Sequence, residues 1–172
     1  MAILRERIDT TLPLEPTFAF VADFANAEAW DPGVASSTRV DPGAVRVGSR
    51  YELGIRMAGR ISPMEYVVTQ FEPGKRVVLR GRGSGVEATD DISFQATPTG
   101  TSISYIADIQ LRGLMRLLTP FARGAFERIA ANARDGMQRA LDERAAATEV
   151  PAAAAAPSSS SSSTSTASSL AG

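Results

Sequence analysis

An α+β fold is expected from this sequence: an open antiparallel sheet whose apolar face is covered by a long C-terminal helix. Three observations point to it. Between about residues 50 and 111, apolar residues recur at every second position, as strands buried on one face require. The turn signals "AG" at 58–59, "EPGK" at 72–75 and "PTG" at 98–100 separate these runs, so that successive strands fold back on one another. From about 114 to 147 the apolar period changes to that of a helix. An open sheet needs a cover, and this segment is the only large one available.

The elements follow in order. Residues 3–10 form a first strand. A helix comes next, with Pro13 and Pro16 near its start and Phe18, Val21, Ala22 and Ala25 at helical spacing. "DPG" at 31–33 stops it, a second "DPG" at 41–43 makes another turn, and a short strand around "ASSTRV" fits between. In "SRYELGIRM", Tyr51, Leu53, Ile55 and Met57 alternate with Arg50, Glu52, Gly54 and Arg56. The strands "MEYVVTQF", "RVVLRGR" and "DISFQAT" follow. In the last strand Ile103, Tyr105, Ala107, Ile109 and Leu111 share one face, and Ser102, Ser104, Asp108 and Gln110 the other. In the final helix, Leu114, Leu118, Phe121, Ala122, Ala125, Ile129, Ala133, Gly136 and Ala140 make the apolar stripe, and Pro120 either kinks it or marks its first turn.

Composition narrows the chemistry. The 172 residues carry 18 Lys+Arg against 19 Asp+Glu, so no electrostatic footprint for nucleic acid or an anionic membrane is present. There is no cysteine and no histidine, which removes thiolate chemistry, the Ser-His-Asp triad and the usual zinc sites. Any catalysis must use Asp, Glu, Tyr, Arg, Lys or the backbone. No metal and no cofactor is expected. The N-terminus "MAILRERIDT" is too charged for a signal peptide, and no stretch has the length of a membrane span, so a cytoplasmic protein without stable membrane insertion is expected. From residue 149 the chain becomes an Ala/Pro/Ser-rich tail, "PAAAAAPSSSSSSTSTASSLAG" from Pro151, whose composition is that of a disordered segment; residues 1–148 form the domain.

The helix stripe bears on function. Its middle and end are built from small residues, Ala122, Ala125, Ala133, Gly136 and Ala140. Either the helix lies close against the sheet, or a cavity remains between them. Polar residues on the inner faces favour a cavity. If 58–59 is a two-residue turn, Tyr51 and Tyr66 lie opposite each other on one face. Tyr105 shares the apolar face of the last strand. Asp90 has the parity of Ile92, Phe94 and Ala96, so it points inward at one end of its strand, where burial raises a carboxyl pKa. Asn132 falls beside the stripe. Each has a plainer explanation: core tyrosines with satisfied hydroxyls, a solvated Asp90, an Asn132 facing water. Their coincidence on one surface is what points to a pocket.

Three stretches, "LEPTFAFVADFANAEAWDPGV", "MEYVVTQFEPGKRVVLRGRG" and "GTSISYIADIQLRGLMRLLTPFARGAFERIAANARDGMQRAL", together with the element order, resemble the START-like, helix-grip (SRPBCC) superfamily, in particular its polyketide cyclase/dehydrase and lipid-transport branch. The resemblance covers residues 3 to about 145. It implies a seven-stranded antiparallel sheet gripping the C-terminal helix, with a ligand cavity between. It carries no universal catalytic motif onto these residues. In such a fold the segment after the first helix closes one end of the cavity, so Trp30 either lines that mouth or plugs it without touching a ligand.

Two readings of function follow. The first is a binder of a small hydrophobic or aromatic ligand, lipid or polyketide-like, held by Trp30, Tyr51, Tyr66, Asp90, Tyr105, Ala125, Ile129 and Asn132. The second is an aromatase/cyclase or dehydratase in which Asp90 is the general acid/base and Tyr105 or Tyr66 stabilises an enolate. "GRGSG" at 81–85 is not a phosphate loop, because no helix follows it; a flexible hairpin loop is expected there.

Overall fold

The computed structural model describes residues 2–57, 59–113 and 119–153, with the side chains of 119–123, 125–126 and 149–153 outside that description. Seven strands run β1 (Ala2–Thr10), β2 (Val34–Arg39), β3 (Arg50–Met57), β4 (Arg60–Glu72), β5 (Arg76–Gly83), β6 (Val86–Thr97) and β7 (Gly100–Leu111). Helix α1 (Leu14–Ala22), a single 3-10 turn (Phe24–Asn26) and the short helix α2 (Ala27–Trp30) connect β1 to β2, and α3 (Thr119–Ala153) follows β7. The sheet order is β1-β7-β6-β5-β4-β3-β2, and each neighbouring pair is antiparallel. This is the α+β arrangement read from the sequence, with its seven strands and its long final helix.

Hairpin chemistry explains the registers. Met57 pairs with Arg60, so the turn at 58–59 has two residues and Tyr51 stands opposite Tyr66. Bulges at Val34/Ser36 in β2 and Val68/Gln70 in β4 bend those strands. The β4 bulge also shifts the inward parity, so that Val68 is buried at its core and Phe71 packs against the same core three residues on.

One hairpin differs from its expected form. Gly81 to Gly83 belong to β5, Gly83 pairs with Val86, and the turn is confined to Ser84–Gly85. The stretch expected as a flexible loop is therefore mostly strand. As a consequence β6 begins at Val86, and Asp90 lies well inside it rather than at its end.

Helix α3 packs against β1 at one edge of the sheet and against α2, which lies on β2, at the other. It spans the concave face as a beam resting on both edges. One half of the space beneath is filled: Phe18 packs edge-on against Phe94 at 5.0 Å and tilted against Phe71 at 5.5 Å, with Met137 and Leu141 of α3 fully buried in the same core. In the other half alanines face inward where the first half has large rings, among them Ala88, Ala107, Ala130 and Ala133. The space there stays open.

Pro120 falls in the first turn of α3, where a missing N–H costs nothing. Of the tail expected from 149 onward, 149–153 are carried in α3 and 154–172 lie outside the described residues.

Candidate ligand cavity

The open half is a cavity of about 140 Å3 between sheet and α3. That is the order of volume that takes one aromatic ring, since an engineered apolar cavity of about 150 Å3 binds benzene. Leu4, Ile55, Met57, Met64, Val86 and Ile109 supply apolar wall, and Ile129, Ala130 and Ala133 of α3 form the roof. Ile129, a large apolar residue, is 40% exposed, which places it at the mouth.

The polar groups gather at the inner end. Asp90 is 5% exposed and lies between Ala88 on the open side and the fully buried Ile92 on the filled side. The Tyr105 hydroxyl donates to Asp90 Oδ1 at 2.8 Å. Burial pushes the Asp90 carboxyl up to about 7; the hydrogen bond from Tyr105 opposes this, the charge of Asp31 adds to it, and Tyr66 opposes it again. Among the described residues no cation neutralises Asp90, so the group holds its proton into the neutral range. Tyr66 and Tyr105 are both raised well above the ordinary phenol value, by burial first and by the neighbouring Asp90 second. Both therefore remain hydrogen-bond donors.

A glycine sets Tyr66. Gly81 stands opposite it in the register, and a Cβ there would come 2.6 Å from Tyr66 Cε1. Only glycine lets the ring lie flat across β5 toward Asp90.

Sequence reasoning left three charged residues of this cavity unnoticed. Asp31 was accounted for by its turn, and it does make one: Oδ1 accepts from the Gly33 N–H at 2.7 Å. Its side chain also forms part of the cavity wall. Burial raises its pKa, opposed by the Gly33 N–H and by Arg56. Arg56 has the outward parity of β3, yet its guanidinium reaches past the strand end to the carbonyls of Pro32 (3.0 Å) and Val34. Glu6 of β1 lines the cavity and pairs with Arg134 at 3.5 Å. The tryptophan immediately before the turn was the available signal for Asp31, since a large apolar side chain there holds the turn against the interior.

The remaining expected residues divide. Tyr66, Asp90, Tyr105 and Ile129 line the cavity. Trp30 is 2% exposed and stands behind the wall, edge-on to Tyr105 at 6.2 Å and to Phe24 at 5.8 Å. Its indole Nε1 has no hydrogen-bond partner among the described residues. It is a plug that supports Tyr105. Tyr51 is fully buried behind the lining, tilted against Phe24 at 6.2 Å, with Arg39 above its ring at 6.0 Å. Burial, then the neighbouring Asp23, raises its pKa. Asn132 is exposed and stands outside the cavity, because at 100° per residue it falls on the outer side of α3 from Ala130 and Ala133. The side chains of Leu114, Leu118, Phe121, Ala122 and Ala125 lie outside the described residues.

The small residues of α3 serve two ends, one of them not against the sheet. Ala130 and Ala133 leave space over the sheet. Gly136 allows close packing: a Cβ there would overlap the carbonyl oxygen of Trp30 and come 2.9 Å from Pro32 Cδ. Among the described residues no group of three or more carboxylates is placed to hold a metal ion, and no helix is long and apolar enough to cross a membrane.

A curved antiparallel sheet closed over a ligand-sized cavity by its C-terminal helix defines the helix-grip class. Within it, the chain belongs to the polyketide cyclase/dehydrase and lipid transport family, whose model matches residues 1–148. Solved structures of similar fold include an aromatase/cyclase, Zhui, from Streptomyces sp. R1128 (14% identity, 88% of this chain and 97% of that chain, TM-score 0.68). A START superfamily protein from Mycobacterium smegmatis aligns at 12% identity over 85% of this chain and 98% of that chain, TM-score 0.65. A protein from Thermus thermophilus aligns at 13% identity over 81% of this chain and 97% of that chain, TM-score 0.68. Among curated proteins none matches the sequence at a significant level.

Proposed function

We propose that this chain binds a small hydrophobic or aromatic molecule in the cavity between sheet and α3. The observation that carries the reading is the division of the interior: one half is packed with phenylalanine, and the other is left open above a buried hydrogen-bonded cluster, Asp90 with Tyr105 and Tyr66. Burial of apolar surface at about 25 cal/mol per Å2 supplies the affinity, and the polar inner end sets the orientation. Family membership supports the same reading, and the Streptomyces aromatase/cyclase is a protein of similar fold whose name carries cyclase chemistry.

A second reading, an aromatase/cyclase or dehydratase acting on a polyketide-like substrate, is favoured by one observation: the carboxyl that faces the ligand keeps its proton near neutral pH. Asp90→Asn separates the two. In a binder it changes affinity alone; in an enzyme it removes turnover while substrate still binds. Extraction of the protein purified from its own cells, with mass spectrometry of the extract, tests the shared premise. A stoichiometric apolar or aromatic molecule supports both readings, and a ligand that is hydrophilic and charged contradicts both.

A further inference from the structure

We propose that Arg56 limits the cavity to about one ring, by tying down the segment 30–34 that closes the cavity on its β2 side. This rests on the cavity being a small-molecule site. It assigns that site a size-determining residue, which acts through the backbone it holds rather than through its charge.

Most of the cavity wall is strand or the body of α3, but Asp31 and Gly33 contribute a wall of turn. A turn has no ladder of its own, so its place depends on what its carbonyls meet. Here three successive carbonyls end on one residue. Nη1 of Arg56 donates to the Pro32 carbonyl at 3.0 Å and to the Val34 carbonyl, and the Arg56 backbone N–H donates to the Gly33 carbonyl at 2.7 Å. Two further bonds, from the Val34 N–H to the Asp31 carbonyl at 2.9 Å and from the Gly33 N–H to Asp31 Oδ1 at 2.7 Å, shape the turn without attaching it to β3. The sheet pairing that starts at Val34 is broken at once by the bulge before Ser36, so it holds the turn poorly.

On its other side the segment lies against Gly136 of α3, at the Trp30 carbonyl and the Pro32 ring. It is clamped between α3 and β3, and Arg56 is the β3 side of the clamp. The residue type suits the task, since a planar guanidinium fixes the directions of its donors and an ammonium on a flexible stem does not. Freed from Arg56, the turn swings outward, the wall of Asp31 and Gly33 recedes, and a second ring fits. Trp30, the only tryptophan, is 2% exposed and directly precedes the turn, so it reports release of the segment without any ligand.

The test titrates phenol, with one ring, and 2-naphthol, with two, calorimetrically into wild type, Arg56→Met and Arg56→Lys. Acrylamide quenching of Trp30 is measured in each protein without ligand, and a thermal melt checks that each is folded. Methionine keeps a long side chain in the wall and removes only the donors. Wild type is expected to bind phenol and exclude 2-naphthol. Arg56→Met should bind 2-naphthol at least about tenfold more tightly than wild type does, with Trp30 more open to the quencher. Arg56→Lys, which keeps a donor, should fall between in both measurements, and it carries the comparison alone where Arg56→Met does not fold. Wild type that takes 2-naphthol as readily as phenol overturns the size limit and leaves the binding reading standing. Folded variants that exclude 2-naphthol as wild type does, or that admit it with Trp30 equally shielded, overturn the role of Arg56. Neither probe bound by any of the three proteins overturns the binding reading and the proposal with it.

Discussion

Asp90 has its proton carried into neutral solution by burial, against hydrogen bonds from Tyr105 and Tyr66, and this has a consequence for stability. Its folded value is about 7 against an ordinary 3.8, so between those limits the folded chain keeps a proton that the unfolded chain releases. Folding stability must fall as pH rises through that window and level off above it, by a few kcal/mol, since each pH unit of displacement is worth about 1.36 kcal/mol. Asp31, also raised, acts in the same direction. Asp41, held low chiefly by the Arg50 N–H, acts oppositely and at lower pH. Urea midpoints should be higher at about pH 5 than at about pH 8 in the wild type, and the difference should be much smaller in Asp90→Asn, where Asp31 alone sustains it. The inward parity of Asp90 was legible from Ile92 and Phe94. Its depth was not, because glycines obscured where its strand began. Asp31 was hidden for a different reason: the Asp-Pro-Gly turn accounts for it fully at the local level, and only tertiary packing gives it a second role.

Among the elements, two glycines hold the site together without contributing a side chain. Gly136 lets α3 approach the Trp30 carbonyl, and Gly81 gives the Tyr66 ring its place on β5. Gly136→Ala should lower stability by about 1–3 kcal/mol, the usual cost of overpacking, seen as a fall of several degrees in the melting temperature. Gly81→Ala should tilt Tyr66 away from Asp90 and weaken ligand binding about tenfold, or 1.4 kcal/mol, in a calorimetric titration. The hairpin pairing of β3 to β7 was legible because turn signals and period-two alternation mark successive strands, whereas the place of β1 beside β7 was not. The bulge in β4 and the strand character of Gly81–Gly83 were not, since neither leaves a local apolar pattern. The stripe of small residues on α3 announced either close packing on the sheet or a cavity beneath the helix. It could not say which: Ala130 and Ala133 leave the cavity, and Gly136 admits the chain at Trp30 and Pro32 rather than the sheet.

Across the whole molecule, apolar volume is unevenly placed. Phenylalanines crowd the end of the sheet near α1, and alanines line the other end under α3. A protein selected only for stability would have filled both. Ala133→Leu should do so, raising the melting temperature of the ligand-free protein and blocking ligand binding together. A stability gain without loss of binding would place the ligand elsewhere. The fold class was legible at this level because an antiparallel sheet with one apolar face admits few covers. The cavity was legible only as an alternative, because the choice between a filled and an open interior depends on how α3 rests on β1 and α2.

Native mass spectrometry of the protein isolated from its own cells, wild type beside Ala133→Leu, with solvent extraction of whatever is held, probes the cavity itself. The wild type is expected to carry one equivalent of a small apolar or aromatic molecule, about one ring in size, and the filled variant none. The same molecule held equally by both proteins would mean that the space between sheet and α3 is not where the ligand sits.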